Sequence, residues 1–145
     1  MEYLTCCIYF YIMYSNLPHM NKNISIILCP SISTTFDYIK DSLRYEGFKN
    51  VHIAWNATSI INLMPDNKKC IVVCDSALPT DEFLPNSYRV DILAQKLKAI
   101  NIPCKLILYH TVVYNDYREG IDYTIDAFDK DANNLIIEKI KQFSM

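Results

Sequence analysis

The sequence predicts an α/β domain in which a parallel sheet is covered by helices on both faces. Short apolar runs rich in β-branched residues recur along the chain, each the length of a strand buried on both sides. Between them lie stretches whose apolar residues fall at helical intervals, so strand and helix alternate throughout, the pattern of a doubly wound fold. The 145 residues suffice for one such domain with a real core and are too few for two.

"ISIIL" (24–28) is the first strand, and it stops at Cys29-Pro30. Capping residues Ser33 or Thr34 lead into "FDYIKDSLRYEGF", where Phe36, Ile39, Leu43 and Phe48 share a helical spacing and Gly47 stands where a helix end needs left-handed backbone. "NVHIAW" (50–55) is the second strand; Asn56-Ala57-Thr58 then opens a helix through "SIINLM" that Pro65 ends. "CIVVCD" (70–75) is the third strand, followed by a polar loop carrying Leu78-Pro79. "YRVDILAQKLKAI" (88–100) repeats Val90, Leu93, Leu97 and Ile100 as a helix, and "IPCKLILYHT" (102–111) is the fourth strand. "YTIDAF" (123–128) is the fifth; "DANNLIIEKIKQF" closes the pattern as a helix with Leu135, Ile136 and Ile140 inward and Lys139 and Lys141 near its C-terminus, where the dipole favours cations.

Composition narrows the function classes. A net charge of -2 and a hydrophobic share of 51% give no electrostatic reason to expect nucleic acid or an anionic membrane, which leaves a protein or a small molecule as partner. Six cysteines occur without a C-x-x-C pair or zinc spacing, and Cys29, Cys70, Cys74 and Cys104 sit in or beside apolar strands, the usage of free buried thiols in a reducing, cytoplasmic compartment. Only Gly47 and Gly120 punctuate the chain, so neither a G-x-G-x-x-G nor a Walker loop is present to cradle a nucleotide. Residues 1–19 form an aromatic, apolar extension without Lys or Arg; its core from Tyr3 to Tyr14 is shorter than a bilayer span of roughly 20 residues and lacks the basic flank of a signal peptide. It reads as an upstream extension of the reading frame, or as an edge strand or apolar helix docked on a domain formed by residues 20–145.

In doubly wound folds, chemistry collects beyond the C-terminal ends of the strands. Those ends carry Cys29-Pro30, Trp55-Asn56, Asp75, Thr111 and Asp126. Over residues 22–143 the chain resembles the receiver domain of response regulators, a CheY-like, flavodoxin-like family. "ISIILCPSISTTFDYIKDSLRYEGF" is similar to that family's first strand and helix, and "NVHIAWNATSIINLM" to its second βα unit. "CIVVCDSALP" resembles the strand ending on the phosphoacceptor, with its D-x-x-[LM]-P turn, and "GIDYTIDAFD" the fifth-strand signature. The resemblance implies strand order 2-1-3-4-5 and a phosphorelay role.

By that resemblance Asp75 is the candidate phosphoacceptor, Thr111 the hydroxyl that meets the phosphoryl group, and Tyr123 the switch aromatic. Two departures stand out. Cys29 and Pro30 replace the acidic pair that holds Mg²⁺, an ion that wants oxygen ligands, so Mg²⁺ binding is expected to be lost or weak. Asp126 takes the place of the lysine that neutralises the phosphoryl charge. At about 5 Å and an effective dielectric near 20, each pair of unit negative charges repels by roughly 3 kcal/mol, and phosphoryl transfer rests on positioning and charge neutralisation. A degenerate, or pseudo-receiver, module without enzyme activity is the expectation.

Plainer roles stand beside these. Asp75 caps a turn through its side chain, or pairs with Asp126 in a recast acidic site; Thr111 is a turn residue; Tyr123 packs on the sheet; His19, His52 and His110 are scattered. A rival of another class places Cys29 beside Ser31, Ser33 and Thr34 at a helix N-terminus, a loop similar to the phosphocysteine loop of sugar-phosphotransferase IIB proteins. Against it, Pro30 removes a backbone donor and the loop has no glycine. The expected partners are a histidine kinase, a phosphotransfer protein, an output protein, or a second copy joined through the family's fourth helix, fifth strand and last helix. No output domain is expected within this chain.

Overall fold

The computed structural model describes residues 19–32, 34–66, 68–77, 90–100, 103–111 and 119–145. Expectations for residues 1–18, for the Leu78-Pro79 turn and for the helix between the fourth and fifth strands fall outside the described residues. Five parallel strands, β1 (Ser25–Cys29), β2 (Asn50–Ile53), β3 (Cys70–Asp75), β4 (Cys104–His110) and β5 (Tyr123–Asp126), form one sheet in the order β2-β1-β3-β4-β5. The described helices are α1 (Asp37–Tyr45), α2 (Ala57–Leu63), α3 (Val90–Ala99) and α4 (Ala132–Phe143). Among the described residues, no helix is long and apolar enough to cross a membrane.

Two cores account for the unbroken apolar runs. On one face Ile27, Val72, Cys74 and Leu106 pack against Ile60 of α2 and Leu93 and Leu97 of α3. On the other, Leu28, Ile71, Val73 and Ile107 pack against Ile39 and Leu43 of α1 and Ile136 and Ile140 of α4. Alternate residues of the inner strands β1 and β3 thus feed opposite cores, so their interior positions must be apolar. The central strand β3 is buried at all of its positions.

Local chemistry sets the helix ends. Phe48 N–H donates to the Leu43 carbonyl and Gly47 N–H to that of Arg44, a Schellman closure that needs the positive φ of Gly47, 98°, and buries Phe48 beside Leu43. Asn56 caps α2 through a reciprocal box, accepting from Ser59 N–H at 2.8 Å while the Ser59 hydroxyl accepts from Asn56 N–H.

Several expectations need correction at the margins. α1 begins at Asp37, after a turn over residues 34–36, and its N-cap Phe36 offers no side-chain acceptor. Ile100 and Leu135 are exposed, because α3 ends at Ala99 and because the buried stripe of α4 runs through Ile137 rather than Leu135. β5 stops at Asp126, whose carboxylate accepts the Phe128 N–H at 2.9 Å and turns the chain.

Candidate functional site

β3 delivers Asp75 to the C-terminal edge of the sheet, in register with Tyr109 of β4. Strand parity sets Asp75 on the face of Ile71 and Val73, toward α1 and α4. It is 1% exposed, and both of its oxygens are engaged. Oδ2 accepts from the Ser31 hydroxyl at 2.8 Å. Oδ1 accepts from the Thr111 hydroxyl at 2.8 Å and from the Ala77 N–H at 2.9 Å. The Ser76 hydroxyl lies 2.9 Å from that of Thr111 and accepts the Thr111 N–H at 2.8 Å. A carboxylate taken out of water is costly unless donors replace its hydration, and here hydroxyls from the β1 and β4 loops together with one backbone amide of the β3 loop do so.

The Tyr109 ring meets Phe36 edge to face, with centroids 5.2 Å apart. Burial, and then the negative charge of Asp75, push its phenol above the usual tyrosine range. Ser31 and Ser76 are participants that sequence reasoning missed, whereas the turn capped by the Asp75 side chain is present in its bond from the Ala77 amide. Ser31 was noted only for its place near Cys29.

Thr111 stands against Asp75, joined to it by its hydroxyl. Asp126 does not join it. It leaves β5 on the opposite parity, aligned with His110, is exposed, and has β4 between itself and β3. Two strand spacings amount to roughly 10 Å. The short Asp126 side chain turns back to Phe128 N–H instead. The recast site of two approaching carboxylates is therefore not assembled, and the repulsion expected from Asp126 is weaker than a 5 Å pair would give. Tyr123 is half-buried beneath Lys139 of α4, whose Nζ lies 4.1 Å from the ring centroid, a packing role.

Positions 29 and 30 offer magnesium no side-chain oxygen. Cys29 is fully buried in the core on the α2–α3 face, in register with Cys74, Pro30 carries no donor oxygen on its side chain, and the Asp75 oxygens already hold their donors. Among the described residues, no group of three or more His, Cys, Asp or Glu side chains is placed to hold a metal ion. The same burial counts against the phosphocysteine reading, which needs an open sulfur. The hydrogen bond with Cys29, reinforced by burial, pushes the Cys74 thiol well above its ordinary range.

Around Asp75 the loops expose large apolar side chains: Ile32 after β1, Trp55 after β2 and Phe128 after β5, at 66%, 53% and 78% exposure. A parallel sheet in this strand order with helices packed on both faces defines the flavodoxin-like class. Within that class the chain has the fold of response-regulator receiver domains. A Francisella response-regulator receiver domain superposes with a TM-score of 0.63 at 16% identity, over 84% of this chain and 97% of its own. A CheY-like receiver domain from Methanospirillum hungatei gives 0.64 at 20% identity, over 83% and 92%. A structure of the CheA3 P1 domain in complex with CheY6 from R. sphaeroides matches at 0.59 and 9% identity, over 85% of this chain and 98% of that one. No protein-family model matches the chain, and no curated protein sequence matches it.

Proposed function

We propose that the chain is a receiver-fold signalling module of the cytoplasm that works by protein contact without an aspartyl phosphate, and that it is not an enzyme. The observation that carries this reading is the setting of Asp75: it is 1% exposed and both oxygens hold hydrogen bonds, so a phosphoryl donor would have to displace the Ser31 hydroxyl to approach Oδ2. Positions 29 and 30 supply no ligand for the ion that such transfer uses, and position 126 supplies no cation. The exposed Ile32, Trp55 and Phe128 support protein contact at the same edge. Among proteins of this fold, the CheA3 P1–CheY6 complex is an example of such a contact. A kinase, phosphotransfer or output protein, or a second copy, is the class of partner.

The 2.8 Å contact from the Thr111 hydroxyl favours a second reading, in which Asp75 still accepts phosphate and Thr111 steadies it. Incubation with acetyl phosphate and Mg²⁺ followed by intact-mass measurement separates the two. An unchanged mass is expected. A phosphoryl adduct lost in Asp75→Asn establishes the second reading, and one lost instead in Cys29→Ser establishes the phosphocysteine rival.

A further inference from the structure

At the opposite, N-terminal edge of the sheet, β3 and β4 each open on a cysteine, and the two are register partners, Cys70 against Cys104. Both belong to the core on the α2–α3 face. The pairing is fixed by backbone, with Cys70 N–H donating to the Pro103 carbonyl at 3.0 Å. Directly opposed residues of neighbouring strands lie about 4.8 Å apart, inside the roughly 4.4–6.8 Å Cα span of disulfides. Cys70 is fully buried, but Cys104 is only partly so and lines a cavity of about 190 Å³ with Leu97, Lys98, Leu106, Gly120 and Asp122. A second register pair, Cys29 and Cys74, sits at the other end of β3 with both thiols fully buried in the core.

We propose that Cys70 and Cys104 form a thiol oxidation site, entered through this cavity by a small peroxide and closed as a disulfide between β3 and β4. A hydrogen bond from Cys104 draws the Cys70 thiol below its ordinary range, while that same bond, and then burial, raise Cys104, which leaves Cys70 the more acidic partner and suits it to the resolving step. The Cys104 sulfur, at the cavity, attacks one peroxide oxygen; the O–O bond breaks, the leaving hydroxide takes the Cys104 proton to become water, and Cys104 becomes a sulfenic acid. The Cys70 sulfur then attacks the Cys104 sulfur, the S–O bond breaks and a second water departs with the Cys70 proton. Two sulfurs lose two electrons in all, and one peroxide is reduced to two waters.

The test uses the full reduced chain, treated with hydrogen peroxide, alkylated and digested with trypsin. The expected product joins peptide 70–89 to peptide 99–105, with fragmentation placing the bond at Cys70 rather than Cys74. It is reversed by a dithiol, retained in Cys29→Ser and absent from Cys104→Ser. The wild-type map is decisive even where Cys104→Ser folds poorly. The proposal is overturned if Cys70 and Cys104 stay alkylatable after peroxide treatment, if the bond forms with Cys6, Cys7 or Cys74, or if it forms only in urea-unfolded protein.

Discussion

Asp75 gains its stability as a buried anion from partners far away in sequence: Ser31 is 44 positions upstream and Thr111 is 36 downstream. A hydrogen bond to a charged group contributes roughly 1.5–3 kcal/mol, so Thr111→Val should lower unfolding stability by about 2 kcal/mol, read as the urea midpoint at constant slope. Ser31→Ala should have a similar but smaller effect, because Ser31 is exposed and water can reach the vacated oxygen. The acid itself was legible, since a hydrophobic strand that ends on a carboxylate is conspicuous. Its partners were not, because strand register decides which loop residues meet, and register is a property of the whole sheet. Asp126 shows the same limit: its position could be read, but its parity and its turn to Phe128 could not.

Elements were legible where their signals are local. Gly47 marked the end of α1, and Asn56 with Ser59 marked the start of α2, because both closures form within a few residues. The inward stripes of α3 and α4 were misjudged at Ile100 and Leu135, where helix length and rotation, set by packing, decide exposure. Gly47→Ala should cost about 1–2 kcal/mol from left-handed backbone alone, since its Cβ would meet nothing within 4 Å. Gly120→Ala should cost more in the same denaturation assay, for its Cβ would stand 3.0 Å from that of Ala94 at a φ of 82°.

Between α1 and α4, Lys141 Nζ lies 2.9 Å from Glu46, and the bond raises the Lys141 pKa above 10.5. Tyr109 is likewise raised above 10.0. A folded-state pKa above the unfolded one means that the native chain binds more protons in that window. Both contributions are thus fully present at neutral pH and are lost as pH rises through the raised values. The urea midpoint should fall above about pH 10, less steeply in Lys141→Met. At neutral pH that substitution should cost at most about 1 kcal/mol, as for other surface pairs.

For the molecule as a whole, the doubly covered sheet was legible because a strand buried on both faces has to be apolar along its length, and β3 is from Cys70 to Cys74. Ile71 sits fully buried at its centre, so Ile71→Ala should cost roughly 2–5 kcal/mol and test the packing independently of the site. The opposite edges of this sheet carry different chemistry: an acid held by hydroxyls at one, a thiol pair beside a cavity at the other. The central claim is that the first of these is a structural acceptor rather than a poised reactive acid. Equilibrium unfolding of Asp75→Ala beside the wild type tests it most directly. Removing the acceptor strands the Ser31 and Thr111 hydroxyls and the Ala77 amide, and stability should drop by roughly 2–3 kcal/mol; an Asp75→Ala chain as stable as the wild type, or more so, would contradict the account.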